Sequence, residues 1–126
     1  MTQSQRNDDG PLPLTPAVFH ILLAVADAPR HGLGILQEVE ERTAGSVRLG
    51  PGTLYGTLQR MCAAGLLEPT DDRPPLERDD PRRRYYRISA PGRRAARREA
   101  ERLAALLDVA VAKRLFRRAS AGGRGR

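Results

Sequence analysis

Arg60 and the run Arg82, Arg83 and Arg84 are the side chains of this sequence best equipped to engage an anion. A guanidinium carries a permanent charge and a planar fork of donors that fits a phosphate in two-point fashion. Thr53 and Gln59 share a stretch with Arg60 and add neutral hydrogen-bonding groups, and Tyr55 adds a hydroxyl. That stretch, "LGPGTLYGTLQRMCAAGLL" from Leu49 to Leu67, opens on Pro51-Gly52 and carries Gly56. Proline at a first helical position starts a helix well. Glycine inside a helix weakens it by roughly 0.5–1 kcal/mol relative to alanine. A helix made only to cover a core would do better with alanine or glutamate at those places.

The helix period of about 3.6 residues sorts this stretch into two faces. With Leu54 at the centre of the buried side, Leu58, Met61 and Cys62 fall beside it. Gly52, Thr53, Gly56, Gln59, Arg60 and Ala63 fall opposite. That front is low and polar, so another backbone can come close to it. Amide groups near Gly52 and Thr53 offer a phosphate site at the helix start. Tyr55 lies at the flank, suited equally to a phosphate contact and to half-buried packing.

Enzymatic chemistry has little to stand on. No carboxylate pair or nucleophile with its base stands out. Cys62 falls on the buried side and reads as core. His20 sits on a helix rich in apolar residues, and His31 reads as a packing or capping residue. No Cys/His cluster has zinc spacing, and "GPG" is too short for a phosphate-binding fingerprint. No catalytic residue, metal or cofactor is expected.

The bulk numbers agree with a binding role. The 126 residues suffice for one domain, and a 40% hydrophobic content supports a modest, mostly aliphatic core. The formal net charge is +7, nearly all from arginine, with Lys113 the only lysine. Such a surface favours nucleic acid first and anionic membrane second. The opening "MTQSQRNDDGP" lacks the cationic lead and apolar core of a signal peptide. No apolar run approaches the ~18 residues of a membrane span. A cytoplasmic, nucleoid-associated protein is expected.

The elements that must position these residues follow from local signals. Residues 1–13 read as a flexible arm. A first helix is expected from Leu14 to Ala28, capped by Thr15 with Pro16 behind it and striped by Val18, Ile21, Leu22 and Val25. "DAPRHG" ends it. A second helix, Leu33 to Ala44, carries a weaker stripe of Leu33, Leu36, Val39 and Glu40. "SVRL" offers a short strand before the third helix, which stops at Gly65. Leu66 to Thr70 and "RRRYYRIS" read as two strands around a proline-rich loop, with Tyr86 and Ile88 on one face and Tyr85 and Arg87 on the other. Ser89 caps a long helix expected to reach Arg118, and residues 119–126 form a flexible tail. The expected fold is mainly α with a small β-hairpin (α+β). It is a winged helix-turn-helix domain over 14–89, followed by a C-terminal dimerisation helix over 90–118.

In such a layout the third helix enters the DNA major groove and the hairpin, the wing, reaches beside it. Thr53, Gln59 and Arg60 then face the groove, and Tyr55, Arg82, Arg83 and Arg84 face phosphates. Asp79 and Asp80 precede the arginine run and compete for it, so the base of the wing, rather than its tip, is expected to touch DNA. Arg93, Arg94, Arg97 and Arg98 read as a solvated face.

The combination of "LGPGTLYGTLQRMCAAGLL" with "RRRYYRIS" resembles the PadR family of bacterial winged-helix transcriptional regulators. "LTPAVFHILLAVADAPRHGLGILQEVEERT" fits that family's first two helices, and the likeness covers about residues 14–115. One departure is visible: the family's His-Gly-Tyr is His31-Gly32-Leu33 here, which removes a hydroxyl. The resemblance implies a repressor-type regulator that binds an inverted-repeat operator in double-stranded DNA as a homodimer. It leaves room for a small-molecule effector, whose identity no residue selects. The last helix supports a dimer independently, through an apolar stripe of Leu103, Leu106, Leu107, Ala110, Val111 and Leu115. Folding of this stripe back onto the first helix of the same chain is the competing arrangement. A basic RNA- or ribosome-associated module without sequence reading is the competing function.

Overall fold

A computed structural model describes residues 14–47, 49–72 and 83–119. The fold begins at the first available cap. Thr15 Oγ1 accepts from the Val18 N–H at 3.2 Å, and Pro16 opens helix α1, Pro16–Ala24. This helix stops short of the expected Ala28, because arginines from elsewhere take over its last carbonyls. Arg30 Nε donates to Ala24 O at 2.6 Å, and Arg93 Nη2 donates to Ala26 O at 3.0 Å. Cationic donors at a helix C-terminus satisfy orphan carbonyls and oppose the helix dipole.

Arg30–His31 then forms a two-residue strand, β1. The stretch 46–47, expected to begin a strand, is a bend instead. Helix α2, Gly32–Thr43, is capped by His31, whose Nδ1 accepts from the Gly34 N–H at 3.1 Å. Its buried face is Gly32, Ile35 and Val39, with Leu36 packed beside them, whereas Leu33 is exposed. The expected stripe was therefore rotated by a fraction of a turn. Ala44 closes this helix in the left-handed region at φ 51°, followed by Gly45 at 81°.

Helix α3 spans Pro51–Ala63. Gly65 turns the chain with φ 82°, while Leu66 N–H reaches back to Met61 O at 2.9 Å and Gly65 N–H to Cys62 O at 3.0 Å. This Schellman closure delivers the chain into β2, Leu67–Thr70, which pairs antiparallel with β3, Tyr85–Ile88. β1 pairs on the other side of β3, giving the order β1-β3-β2. The hairpin is thus the larger part of a three-stranded sheet. Tyr85 and Tyr86 are both buried, because both faces of β3 are covered here. Tyr86 joins the main core, and Tyr85 meets the His31 ring edge-on, with centroids 5.3 Å apart. Residues 1–13, 48, 73–82 and 120–126 lie outside the described residues, and with them the expected arm, the tip of the expected wing, Arg82 and the expected tail.

Helix α4 spans Ala90–Ala112, about 35 Å long at 1.5 Å per residue. Ser89 Oγ accepts from the Gly92 N–H at 2.9 Å and donates to Gly65 O, so one hydroxyl caps α4 and ties it to the end of α3. The helix stops short of the expected Arg118: Arg114 takes a φ of 65°, and Leu115 N–H bonds Ala110 O at 2.9 Å. Leu115 therefore lies beyond the helix and is 80% exposed.

Ile21, Leu22 and Val25 of α1, Ile35 and Val39 of α2, and Leu54, Leu58 and Met61 of α3 meet in one core with Leu67 and Tyr86 of the sheet. Only the first half of α4 joins it. Gly92, Ala95 and Glu99 are buried, and Arg102 grips the Glu99 carboxylate with two bonds, at 2.6 and 3.0 Å. That grip holds the Glu99 carboxyl below its usual range despite burial. From Leu103 onward the helix is exposed at Leu103, Leu106 and Val109, with Leu107, Ala110 and Val111 half-buried. Folding back onto α1 thus accounts for the early turns of α4 and not for the leucines beyond them.

Candidate nucleic-acid interface

The two faces expected of α3 are the two faces observed. Leu54, Leu58 and Met61 are buried, and Cys62 is half-buried against the core. Burial pushes the Cys62 thiol upward, with Arg84 opposing in part, which suits packing and not nucleophilic attack. Thr57 is also buried, its hydroxyl donating to Thr53 O at 2.8 Å. Its apolar neighbours hid that role in the sequence, since a threonine breaks no apolar stripe.

The front carries Thr53, Gln59, Arg60 and Ala63, all exposed. A Cβ placed on Gly50 or Gly52 would meet nothing within 4 Å, so these glycines face open space. A Cβ on Gly56 would meet only Arg60 Nη1, at 3.5 Å. The Arg60 guanidinium therefore lies back over Gly56, where Nη2 donates to Thr57 Oγ1 at 3.2 Å. This is a charge-assisted bond on an exposed side chain, and Arg60 gives it up when its guanidinium turns outward to another acceptor.

Tyr55 does two things at once. It is 51% exposed, and the Cε1–Cζ–OH side of its ring lies against Gly32 in the first turn of α2. A Cβ on Gly32 would stand 2.7 Å from Tyr55 Cε1 and 2.9 Å from its hydroxyl oxygen. Glycine at position 32 is what lets the ring settle there. Tyr55 also divides two clefts. One, of about 530 Å³, is open to solvent and walled by His31, Gly32, Tyr55, Arg83, Arg84 and Tyr86. The other, about 340 Å³, is shared by Tyr55, Gln59, Cys62, Pro69 and Arg84.

The structure thus brings Tyr55, Gln59, Arg83 and Arg84 together along the seam between α3 and β3. Thr53 and Arg60 stand on the adjoining front of α3, outside the cleft walls. Burial raises the Tyr86 hydroxyl above its ordinary range, again with Arg84 opposing. Sequence reasoning did not place His31 in this site. The histidine was visible as a capping residue, but only the pairing of β1 with β3 carries it to the wing. Arg93, Arg94, Arg97 and Arg98 are exposed on α4 as expected, with Arg93 also bonding Ala26 O. Among the described residues, no group of three or more His, Cys, Asp or Glu side chains is placed to hold a metal, and no helix is long and apolar enough to cross a membrane.

Comparison with known proteins decides the family. The profile of the transcriptional regulator PadR-like family matches residues 21–98, from the core of α1 to the buried start of α4. The chain belongs to the PadR-like family. The transcriptional regulator Rv3488 of Mycobacterium tuberculosis is 41% identical over 89 residues, covering 68% of this PadR-like chain and 77% of that protein. A 37.1 kDa protein of transposon TN4556 from Streptomyces fradiae is 36% identical over 86 residues. That match covers 68% of this chain, which spans only 22% of the Streptomyces protein. A crystal structure of a PadR family transcription regulator from Clostridium difficile R20291 superposes with a TM-score of 0.63 at 23% identity, covering 76% of this chain and 95% of that one. At that identity the likeness speaks for the fold. PadR-like proteins are transcriptional regulators and not enzymes, and the present one has their DNA-binding winged-helix fold with a long C-terminal helix.

Proposed function

We propose that this PadR-like regulator is a repressor that binds an inverted-repeat operator as a homodimer in the cytoplasm, on the nucleoid. The observation that carries the reading is the open front of α3. Its glycines face empty space, and its exposed polar side chains, Thr53, Gln59 and Arg60, project where a major groove would lie. Tyr55, Arg83 and Arg84 hold the flanking phosphates from the seam with β3, and Arg82 extends the same cationic run. Neutralising backbone charge supplies much of the affinity, and the groove contacts supply the choice of sequence.

The second half of α4 joins two copies through Leu103, Leu106, Leu107, Ala110 and Val111. Leu115 lies just past the helix end, within reach of the same interface. The exposure of Leu103, Leu106 and Leu115 in one chain, with Leu107, Ala110 and Val111 half-buried beside them, supports this role, since a regulator reading two half-sites needs a two-fold partner. An effector, where one acts, changes the angle between the two DNA-binding heads by working on α4 and α1.

Footprinting on the DNA upstream of its own gene tests the proposal. The expected result is protection of two half-sites about one helical turn apart, with a preference over random duplex of at least about a thousandfold. Equal affinity for random DNA would replace the reading with a nonspecific basic module. Sedimentation of a chain ending before Leu103 should show monomers, and a persistent dimer would move the interface elsewhere.

A further inference from the structure

Tyr86 is a buried residue whose polar end is left over. It is 8% exposed, and its ring joins the main core. Among the described residues its hydroxyl makes no hydrogen bond. Nor is that hydroxyl sealed in: among the described residues, His20 Nδ1 is the one buried side-chain atom without a partner. The Tyr86 hydroxyl therefore opens to solvent, and it does so in the smaller cleft of the α3–β3 seam. That cleft, about 340 Å³, is walled by Tyr55, Gln59, Cys62, Pro69, Arg84 and Tyr86 itself. The charged groups that act on the hydroxyl are Arg84, Cys62 and Tyr55, and all three are walls of this cleft.

The cleft has two kinds of wall. Arg84 supplies a guanidinium and Tyr86 a phenol hydroxyl, both able to donate. Burial raises the Tyr86 hydroxyl above its ordinary range, so it keeps its proton. The half-buried Cys62 thiol, the Pro69 ring and the Tyr55 ring make the rest apolar. None of the described walls carries a carboxylate. We propose that this cleft binds a small organic carboxylate with an apolar body, its carboxylate set between Arg84 and the Tyr86 hydroxyl, and that the bound acid keeps DNA from the seam. Inorganic phosphate would leave the apolar walls unfilled, and a neutral apolar molecule would give the two donors no acceptor. Regular elements build the place. Tyr55, Gln59 and Cys62 rise along one side of α3, and Pro69 pairs with Tyr86 across the β2–β3 ladder. The ligand thus sits on the reading head itself, apart from α4. Tyr55, Gln59 and Arg84 cannot serve an acid and a DNA strand together, and this competition alone rests on the function proposed above.

The full-length chain has three tyrosines, Tyr55, Tyr85 and Tyr86, so ring-¹³C tyrosine labelling resolves each of them. Sodium hexanoate is the probe, and an acid of this size binds on the order of millimolar. Titration should shift the Tyr86 and Tyr55 ring signals saturably. Tyr85, buried against the His31 ring, should stay in place. Acetate lacks the body and hexanol lacks the charge, and each should bind at least about tenfold more weakly. Tyr86→Phe keeps the packed ring and removes the hydroxyl. Its hexanoate affinity, read at Tyr55, should fall about fivefold, the scale of one hydrogen bond. Random-sequence duplex, titrated at constant ionic strength, should bind more weakly once hexanoate saturates the wild-type protein. A Tyr86 signal unmoved well above millimolar hexanoate, or moved equally by hexanol, overturns the site, and this wild-type result stands even where the variant folds poorly. Hexanoate affinity unchanged in a folded Tyr86→Phe protein removes the hydroxyl from the site and overturns its assignment. A Tyr86 shift with duplex affinity unchanged overturns the exclusion of DNA. A Tyr86 shift in a protein that binds no duplex keeps the site and defeats the DNA reading.

Discussion

Two helices of this protein carry the same dipeptide in their first turn, and the two glycines have opposite surroundings. Pro51-Gly52 starts α3, and Pro91-Gly92 follows Ala90 at the start of α4. A Cβ on Gly52 would meet nothing within 4 Å, while a Cβ on Gly92 would stand 2.1 Å from the backbone oxygen of Leu66. The second glycine is required by packing, because it lets α4 close against the end of α3. The first has no packing reason at all. A glycine that costs helix stability and touches nothing in the free protein makes sense as room kept for something that arrives later. On the function proposed above, that is the DNA backbone.

The largest expected effect lies on the packed side. Gly92→Ala forces backbone apart and should cost roughly 3 kcal/mol, near the upper end for overpacking, read as a lower urea midpoint. An unchanged midpoint would mean that α4 can shift freely, and the contrast would lose one side. On the open side, Arg60→Ala should leave folding intact and weaken operator binding by about 1–3 kcal/mol if it reaches a base. Unchanged affinity and footprint would remove Arg60 from the reading surface. Ala44→Gly sharpens the contrast from a third direction, since φ at Ala44 is 51° and glycine is missing where the backbone calls for it. Melting should show a gain of about 0.5–1 kcal/mol without change in DNA binding. Smallest is Gly52→Ala, which should stabilise α3 by about 0.5 kcal/mol while operator affinity falls.

What the sequence made legible follows the strength of its local signals. Thr15-Pro16, Pro51, Gly65 and Ser89-Pro91 mark their helix boundaries by capping and dihedral chemistry, and the structure places those boundaries there. The faces of α3 were readable because Leu54, Leu58 and Met61 repeat cleanly against small and polar residues. β1 was not readable, since two residues between Pro29 and Gly32 carry no period, and their pairing depends on β3, far along the chain. The early end of α4 was equally hidden. Arg114 adopts a left-handed turn with no glycine to announce it. Within the candidate site, Tyr55, Gln59, Arg83 and Arg84 were visible as residues and came together through the sheet. The cleft that Tyr55, Arg83 and Arg84 share with His31 exists only because β1 and β3 are neighbours, which no local pattern records.

The central claim is that the front of α3 is kept low for DNA. Gly56→Leu tests it most directly, because a Cβ there meets only Arg60 Nη1 at 3.5 Å in the free protein. Titration of the operator duplex should show at least about a tenfold loss of affinity, ~1.4 kcal/mol, with a melting temperature unchanged or raised. Full affinity in a well-folded Gly56→Leu protein would contradict the account.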